Sequence, residues 1–565
     1  MIPTARHALF LLLLYPFGMA SSASAQRSFP MIPQEASAES EVIELLPVIE
    51  EILELRELGQ SLTLTGAPLP GGPAVLVLRR LQVDPTSRVY VNGIEQDSQK
   101  HLEDLSIWKG TVRGHEGSDV LLGFSSHGCH GWIHDGTTRW NLLSSSGPGE
   151  DWSTFSSRLV AESAIVAIGP ETGPRCATDS PSAPTLLDEI DPLTQNIGMS
   201  VGTLECPIAI ETDYQLFEQF NNLAAMQNYV TLLITAVSDR MHEQADIVLT
   251  YPYIGYYTDQ NDPWTGQDNG LGCGEVLNEF QNAWQGNLPN GAALGHFISG
   301  AWLGCGVAWV DVICNPTWGF SLSCCINGGV NFPATQGSNT WDFYVMAHEL
   351  GHNFGSAHTH EYCPPLDECA DNCNGTINCV STGTNLSYCH GCPSGMNNIT
   401  TYYHPSVVGV MRQAAEGSCL ESFCPDAETY CWAAPNSASA TGAQIDLFGS
   451  TSVGQNNFGL MVLGAVPNTL GLFFYGSGQT SVLFGDGLRC VDGAGASVIR
   501  LGPPAAADSL GFGSRTVDFT QPPASAGPGQ VLSGSTWNFQ YWYRDPAGGL
   551  AGFNLSNALS VPFCP

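Results

Sequence analysis

Lysine is nearly missing from this chain. Lys100 and Lys109 are the only two in 565 residues, charged side chains make up 13%, and the formal net charge is −35. So few cations build no dense basic patch, which excludes nucleic acid and anionic membrane as partners. Long apolar runs are missing as well: past the first 25 residues no stretch is long enough to span a bilayer, so stable membrane insertion is excluded. Low charge together with 63 glycines points to many turns and much β structure rather than long solvated helices.

The first residues, MIPTARHALFLLLLYPFGMASSASAQ, explain the one short apolar run. Arg6 supplies a positive start, Ala8 to Phe17 an apolar core, and Ala23-Ser24-Ala25 a small-x-small cleavage site before Gln26. This is a secretory signal over residues 1–25, and the mature protein is expected to be soluble and secreted. Export decides how the 19 cysteines are read: most are expected in disulfides, and an odd total leaves at least one unpaired in a monomer.

Patterning divides the rest into three units. Residues 26–195 open with an acidic helical pattern, ESEVIELLPVIEEILELREL, broken at Pro47. Short β-like runs follow, separated by Gly, Asp and Ser turns, and then a Pro/Ser/Thr-rich linker from Gly169 to Thr185. Residues 196–424 mix strands and helices: CPIAIETD, a long helical segment in which Leu216, Phe220, Leu223, Val230, Leu233 and Val237 recur at helical spacing, then ADIVLTYPYI. Residues 425–565 carry short strands at regular spacing, which predicts an all-β sandwich. The expected fold is therefore multidomain: a β-rich first unit, an α/β domain and a C-terminal β domain.

The chemistry concentrates in WDFYVMAHELGHNFGSAHTH, Trp341 to His360. Two histidines four residues apart on a helix project from one face, and His348 and His352 have that spacing. Asn339 or Thr340 is placed to cap the helix start. Gly355 accepts the left-handed backbone of a helix end, so the chain can turn and bring His358 round as a third ligand. Three imidazoles with one open position are what a catalytic zinc requires. Glu349, beside the first ligand, is placed to take a proton from water at the metal. His360 reads as a solvated neighbour.

The pattern His-Glu-x-x-His-x-x-Gly-x-x-His resembles that of the metzincin metallopeptidases, and HELGHNFGSAH is most similar to the reprolysin (adamalysin, ADAM-like) branch. The resemblance spans about Cys206 to Arg412. It implies a twisted sheet with a zinc-binding helix, one catalytic Zn2+ on His348, His352 and His358, Glu349 as general base, and protein or peptide substrates. Where the family places a methionine floor beneath the zinc, this chain has Leu386 in GTNLSYCH, and Tyr388 resembles a tyrosine that some branches place near the metal. The first unit is then propeptide-like, with Cys176 in GPRCATDSP as the cysteine switch of a zymogen and Cys129 as runner-up; a Cys129–Cys176 disulfide is the bland reading. Substrate is expected along a sheet edge within Ala301 to Trp309.

Cys363, Cys369, Cys373, Cys379, Cys389 and Cys392 read as disulfides stapling the loops after the zinc helix. Asp367, Glu368 and Asp371 match no dedicated calcium loop, so Ca2+ lacks support and they read as solvated acids. Asn-x-Ser/Thr sites stand at Asn374, Asn385, Asn398 and Asn554. The expected function is a secreted zinc endopeptidase; the alternative is a catalytically silent adhesion or surface-binding protein on the same scaffold, with the C-terminal domain binding a surface or matrix.

Overall fold

A computed structural model of the chain describes residues 25–34, 41–58, 61–84, 87–97, 104–146, 152, 154–165, 202–304, 306–329, 339–375, 377–379, 382–423, 427–495 and 497–564. The signal segment up to residue 24, the linker and Cys176 lie outside the described residues. No described helix is long and apolar enough to cross a membrane.

Residues 25–165 form a ten-stranded sheet in which most neighbours are antiparallel and hairpin-linked. Its inner strands Asp119–Ser125, Gly128–His134 and Arg139–Ser145 are buried along almost their whole length. A sheet buried on both faces needs a second layer on each side. The acidic segment departs from its helical pattern. Val42–Pro47 is a strand paired with Ser157–Val160, and only Ile49–Leu55 is helical. Val42, Ile43 and Leu45 find an open sheet edge, and that pairing overrides the local period.

The central region is built on a second, eight-stranded sheet. We label its elements β1 (Leu204–Thr212), α1 (Leu223–Ala245), β2 (Ile247–Tyr256), α2 (Cys273–Trp284), β3 (Leu294–Ile298), β4 (Val307–Ala308), β5 (Phe320–Ser323), α3 (Asn339–Asn353) and α4 (Pro405–Glu416). Strands β5, β3, β1 and β2 run parallel in that order, and β4 closes one edge antiparallel to β5. On the other side the sheet continues into the first unit, with Val89–Val91 parallel to β2 and Ile94–Gln96 outermost. The helical run after β1 is broken. Asn221 takes a left-handed conformation and ends the short helix Tyr214–Phe220, and the Asn222 side chain accepts from Ala225 N to start α1. Helix α2, CGEVLNEFQNAW, escaped the sequence reading; it packs Val276, Leu277 and Phe280 beneath β5 and β3.

These six cysteines form disulfides that staple the loops after α3, as expected for an exported chain, and the structure supplies the pairing: Cys363–Cys373, Cys369–Cys389 and Cys379–Cys392. A fourth, Cys314–Cys419, ties the chain after α4 to the loop after β4. Cys129 is a buried thiol, not half of a disulfide, and burial pushes its ionisation far up. It is thereby a poor thiolate and a poor candidate for metal blockade. Asn385, Asn398 and Asn554 are buried, which removes three of the four glycosylation motifs in the folded chain.

Residues 427–564 form a six-stranded and a three-stranded sheet that share one core. Ile445, Leu460 and Val462 of the smaller sheet meet Phe473, Tyr475, Phe539 and Tyr541 of the larger. The described residues thus form a mixed, sheet-rich α/β structure with few helices.

Candidate metal centre

Helix α3 is anchored at both ends before it carries any chemistry. At its start the Asp342 carboxylate accepts from the Tyr229 hydroxyl of α1 and from Gly328 N (2.8 Å). Burial pushes Asp342 up to about 7, against the pull of those hydrogen bonds. The Thr340 hydroxyl donates to Asn141 of the first sheet at 3.2 Å. At the other end Asn353 Nδ2 donates to the Trp309 and Phe320 carbonyls, and its Oδ1 accepts from Ser321 Oγ. The last carbonyls, of His352 and Asn353, accept from Asp311 N and Val312 N, each at 3.0 Å. Gly355 has φ +89°, the left-handed turn its position in the motif requires.

That turn brings three rings together. Ring nitrogens of His348, His352 and His358 lie within 4.8 Å of one another, all buried. His352 Nδ1 donates to the Ser356 carbonyl at 2.7 Å, which turns its Nε2 toward His358 Nε2, 3.2 Å away. His358 is held from behind: Glu361 Oε2 accepts from His358 N at 2.9 Å and lies 3.1 Å from its Nδ1. Burial works against the Glu361 charge, but the hydrogen bonds from His358 outweigh it and hold the carboxyl down to about 2. Each second-row contact fixes a ring so that the other nitrogen faces inward.

His348 is the informative member. Both its ring nitrogens are buried and make no hydrogen bond among the described residues. An unsatisfied buried imidazole is costly unless something else binds it. Burial, then the neighbouring His352 and His358, push its pKa well down, and burial also lowers His352 to about 3. Neutral, inward-facing imidazoles are the form that ligates a metal, so the donor set fits a borderline-soft divalent ion such as zinc.

Glu349 is buried on the same helix, outside the histidine triad. A Cβ on Gly306 would stand 2.2 Å from Glu349 Oε1 and 2.7 Å from Val345 Cγ2, so the backbone leading into β4 passes directly over the carboxylate. Leu386 is fully buried beneath the helix: a Cβ on Gly351, between the two helical histidines, would lie 2.8 Å from its Cδ1. Its carbonyl accepts from Thr359 N and Oγ1, tying the floor to the turn that carries His358. The Tyr388 ring centroid stands 4.5 Å from that of His358 and 6.2 Å from that of His348.

His360 differs from the sequence reading. It is buried, not solvated, because the 3-10 turn Thr359–Glu361 stacks its ring on His358 (5.2 Å) and against Tyr388 (4.9 Å). Asp367 is likewise buried, accepting from the Thr359 hydroxyl and from Cys369 N, so it braces the same turn rather than facing solvent. Glu361, Ser356, Asn353 and Gly306 were missed in the sequence. Only Glu361 carried a local signal, standing three residues after the third histidine.

Residues 202–404 match the Reprolysin_5 family model, described as metallo-peptidase family M12. The match covers strands β1 to β5 of the second sheet, α1, α2, α3, Leu386 and Tyr388. It supports a metallopeptidase, and peptidases of this family depend on zinc. No curated protein matches the chain. Among solved structures, metalloproteinase-II from Bacteroides fragilis is similar at 10% identity and a TM-score of 0.36, over 65% of this chain and 95% of that one. Wild-type OgpA from Akkermansia muciniphila is similar at 12% identity and a TM-score of 0.21, over 65% and 96%. Likeness of that size carries no functional inference.

Proposed function

We propose that the chain is a secreted zinc endopeptidase of the reprolysin-like branch, with His348, His352 and His358 as ligands and Glu349 as general base. The observation that supports this most is the buried triad of converging imidazoles with an unsatisfied His348 beside a carboxylate that is not part of it. Zinc, when bound there, supplies Lewis acidity toward the scissile carbonyl and acidifies a water. Glu349 takes the proton of the attacking water and passes it to the leaving amine. Ser356 and Glu361 keep His352 and His358 oriented, Leu386 fills the floor under Gly351, and Tyr388 borders the site. Among the described residues strand β4 pairs with β5 alone, and its other edge would take an extended substrate by strand addition.

The test is zinc content by elemental analysis, together with cleavage of a casein-like substrate before and after dialysis against a chelator. Activity lost with the metal and restored by zinc supports the proposal. One bound zinc per chain without cleavage would instead assign the chain to the silent surface-binding alternative.

Two narrower outcomes follow from the geometry. Glu361→Ala is expected to weaken zinc binding about 10–100-fold, read by competition with a chromogenic chelator, because His358 loses its anchor. An unchanged zinc affinity would reduce Glu361 to a surface carboxylate. Gly306→Ala is expected to lower kcat about 100-fold and to lower thermal stability by about 1–3 kcal/mol, since the new methyl displaces the Glu349 carboxylate end and crowds the buried Val345 Cγ2. Wild-type kcat in that variant would mean that Glu349 works from another position.

A further inference from the structure

Helix α1 carries more burial than one sheet can provide. Every residue from Asn228 to Val237 is buried, so the helix is enclosed on all faces. One face meets its own sheet: Ser238 Oγ donates to the Leu249 carbonyl of β2, and Thr235 Oγ1 lies 3.2 Å from the Tyr251 hydroxyl. The opposite face meets the first sheet. A Cβ on Gly123 would lie 2.9 Å from Leu232, and the Tyr229 ring sits 5.0 Å from that of His130. Trp132 of the same sheet packs edge-on against Phe343 of α3 at 5.3 Å. Both units therefore contribute to one continuous hydrophobic core.

Polar contacts at this seam include ion pairs with buried members and neutral hydrogen bonds. Lys109, one of the two lysines, reaches Asp239 at 2.5 Å and Glu243 at 2.8 Å, both on α1, and Arg79 also reaches Asp239 at 2.6 Å. Arg240 of α1 donates to Asp119 of the first sheet at 3.4 Å, with both side chains buried. Arg139 Nη2 donates to the Ile399 carbonyl (2.8 Å), and Trp152 Nε1 to the Phe220 carbonyl (2.7 Å). Val89–Val91 joins the second sheet beside β2, with Asn92 and Thr258 exchanging hydrogen bonds at 2.9 Å just beyond it.

We infer that residues 25–165 are a permanent partner of the central region and not a propeptide that leaves it: the surface formed by α1, the start of α3 and the β2 edge is the docking surface for the first β unit of this same chain. Detaching that unit would uncover Leu232, Leu233 and Ala236, remove one strand pairing, and separate Asp239 from Lys109 and Arg79 and Asp119 from Arg240. Cleavage between residues 166 and 201 would leave the two parts bound.

The test uses the full chain as secreted. Native mass spectrometry and N-terminal sequencing are applied to the purified protein, before and after graded limited proteolysis. The expected result is a single native species that retains residues 26–165 in every fraction that unfolds cooperatively, whether the chain is intact or nicked. A cooperatively unfolding species that begins after residue 165 and lacks the first unit would overturn the inference. A second measurement is independent of nicking. Urea unfolding followed by tryptophan fluorescence and by hydrogen exchange of α1 amides should give one shared midpoint, and Leu232→Asp should lower it for both probes. Two separate midpoints, with α1 unaffected by loss of the first sheet, would also overturn it. Neither measurement depends on peptidase activity, so failure of the zinc reading leaves this inference separately decided.

Discussion

Glu349→Gln is expected to bind zinc as the parent does and to cleave a peptide substrate about 10²–10⁴-fold more slowly. The magnitude is that of a lost general base. The sign of the zinc result follows from the geometry: the converging donors are the nitrogens of His348, His352 and His358, and Glu349 is not among them. Glutamine keeps the shape of the buried side chain and its contact under Gly306, so the fold has little reason to change. The measurement is kcat/KM on a quenched peptide with metal content determined on the same sample. Full activity with one zinc bound would remove Glu349 from the mechanism. Loss of zinc would make the carboxylate part of the binding site, a different chemistry.

The residues at stake here were readable in the sequence because their relations are local. A four-residue interval is one helical turn, and a glycine three residues later marks where the helix stops; Gly355 with φ +89° does that. What local spacing does not carry is who stands across the cleft. Gly306 lies over Glu349, from the segment leading into β4, forty-three residues earlier in the chain. Nothing in AWLGCGVAW marks that glycine as closer to the chemistry than Gly304. The same holds for the break at Asn221-Asn222. Two asparagines in a row suit a left-handed helix end followed by a cap, yet they sit inside an apolar period that also reads as one unbroken helix.

The first unit teaches the reverse lesson. Its strands were legible from alternation, but its relation to the central region was not, because propeptide-like position suggested a removable body. A signal was nevertheless present in α1. Leu232, Ile234 and Ala236 lie off the stripe formed by Val230, Leu233 and Val237, and a helix apolar on several faces needs cover on several faces. The second layer had to come from somewhere in the chain, and the buried inner strands of the first sheet had the same unmet need.

Arg240→Met is expected to cost about 3–5 kcal/mol of stability, the range for breaking a buried ion pair from one side. Arg240 is 2% exposed and its partner Asp119 9%. The guanidinium also donates to Glu243 and to Thr401, and it lies 3.6 Å from the centre of the Tyr402 ring. Methionine replaces the apolar stem but leaves Asp119 buried with, among the described residues, the Trp132 indole (2.9 Å) and the Thr401 hydroxyl (3.4 Å) as hydrogen-bond donors and Arg139 as a nearby charge. Arg240→Lys should cost less than methionine but more than nothing, since it keeps the charge and loses the fork. The double variant Arg240→Met with Asp119→Leu should recover much of the loss, because the penalty is the stranded carboxylate rather than the missing attraction. Urea midpoints for the three variants decide it; a shift for Arg240→Met within about 0.5 kcal/mol of zero, the scale of a surface substitution, would mean that Asp119 is neutralised another way. Thr401 lies on the strand that follows Leu386 and its disulfide-stapled loop. The same cation therefore joins the first sheet, α1 and the strand beneath the histidine triad, and its loss should loosen all three at one midpoint.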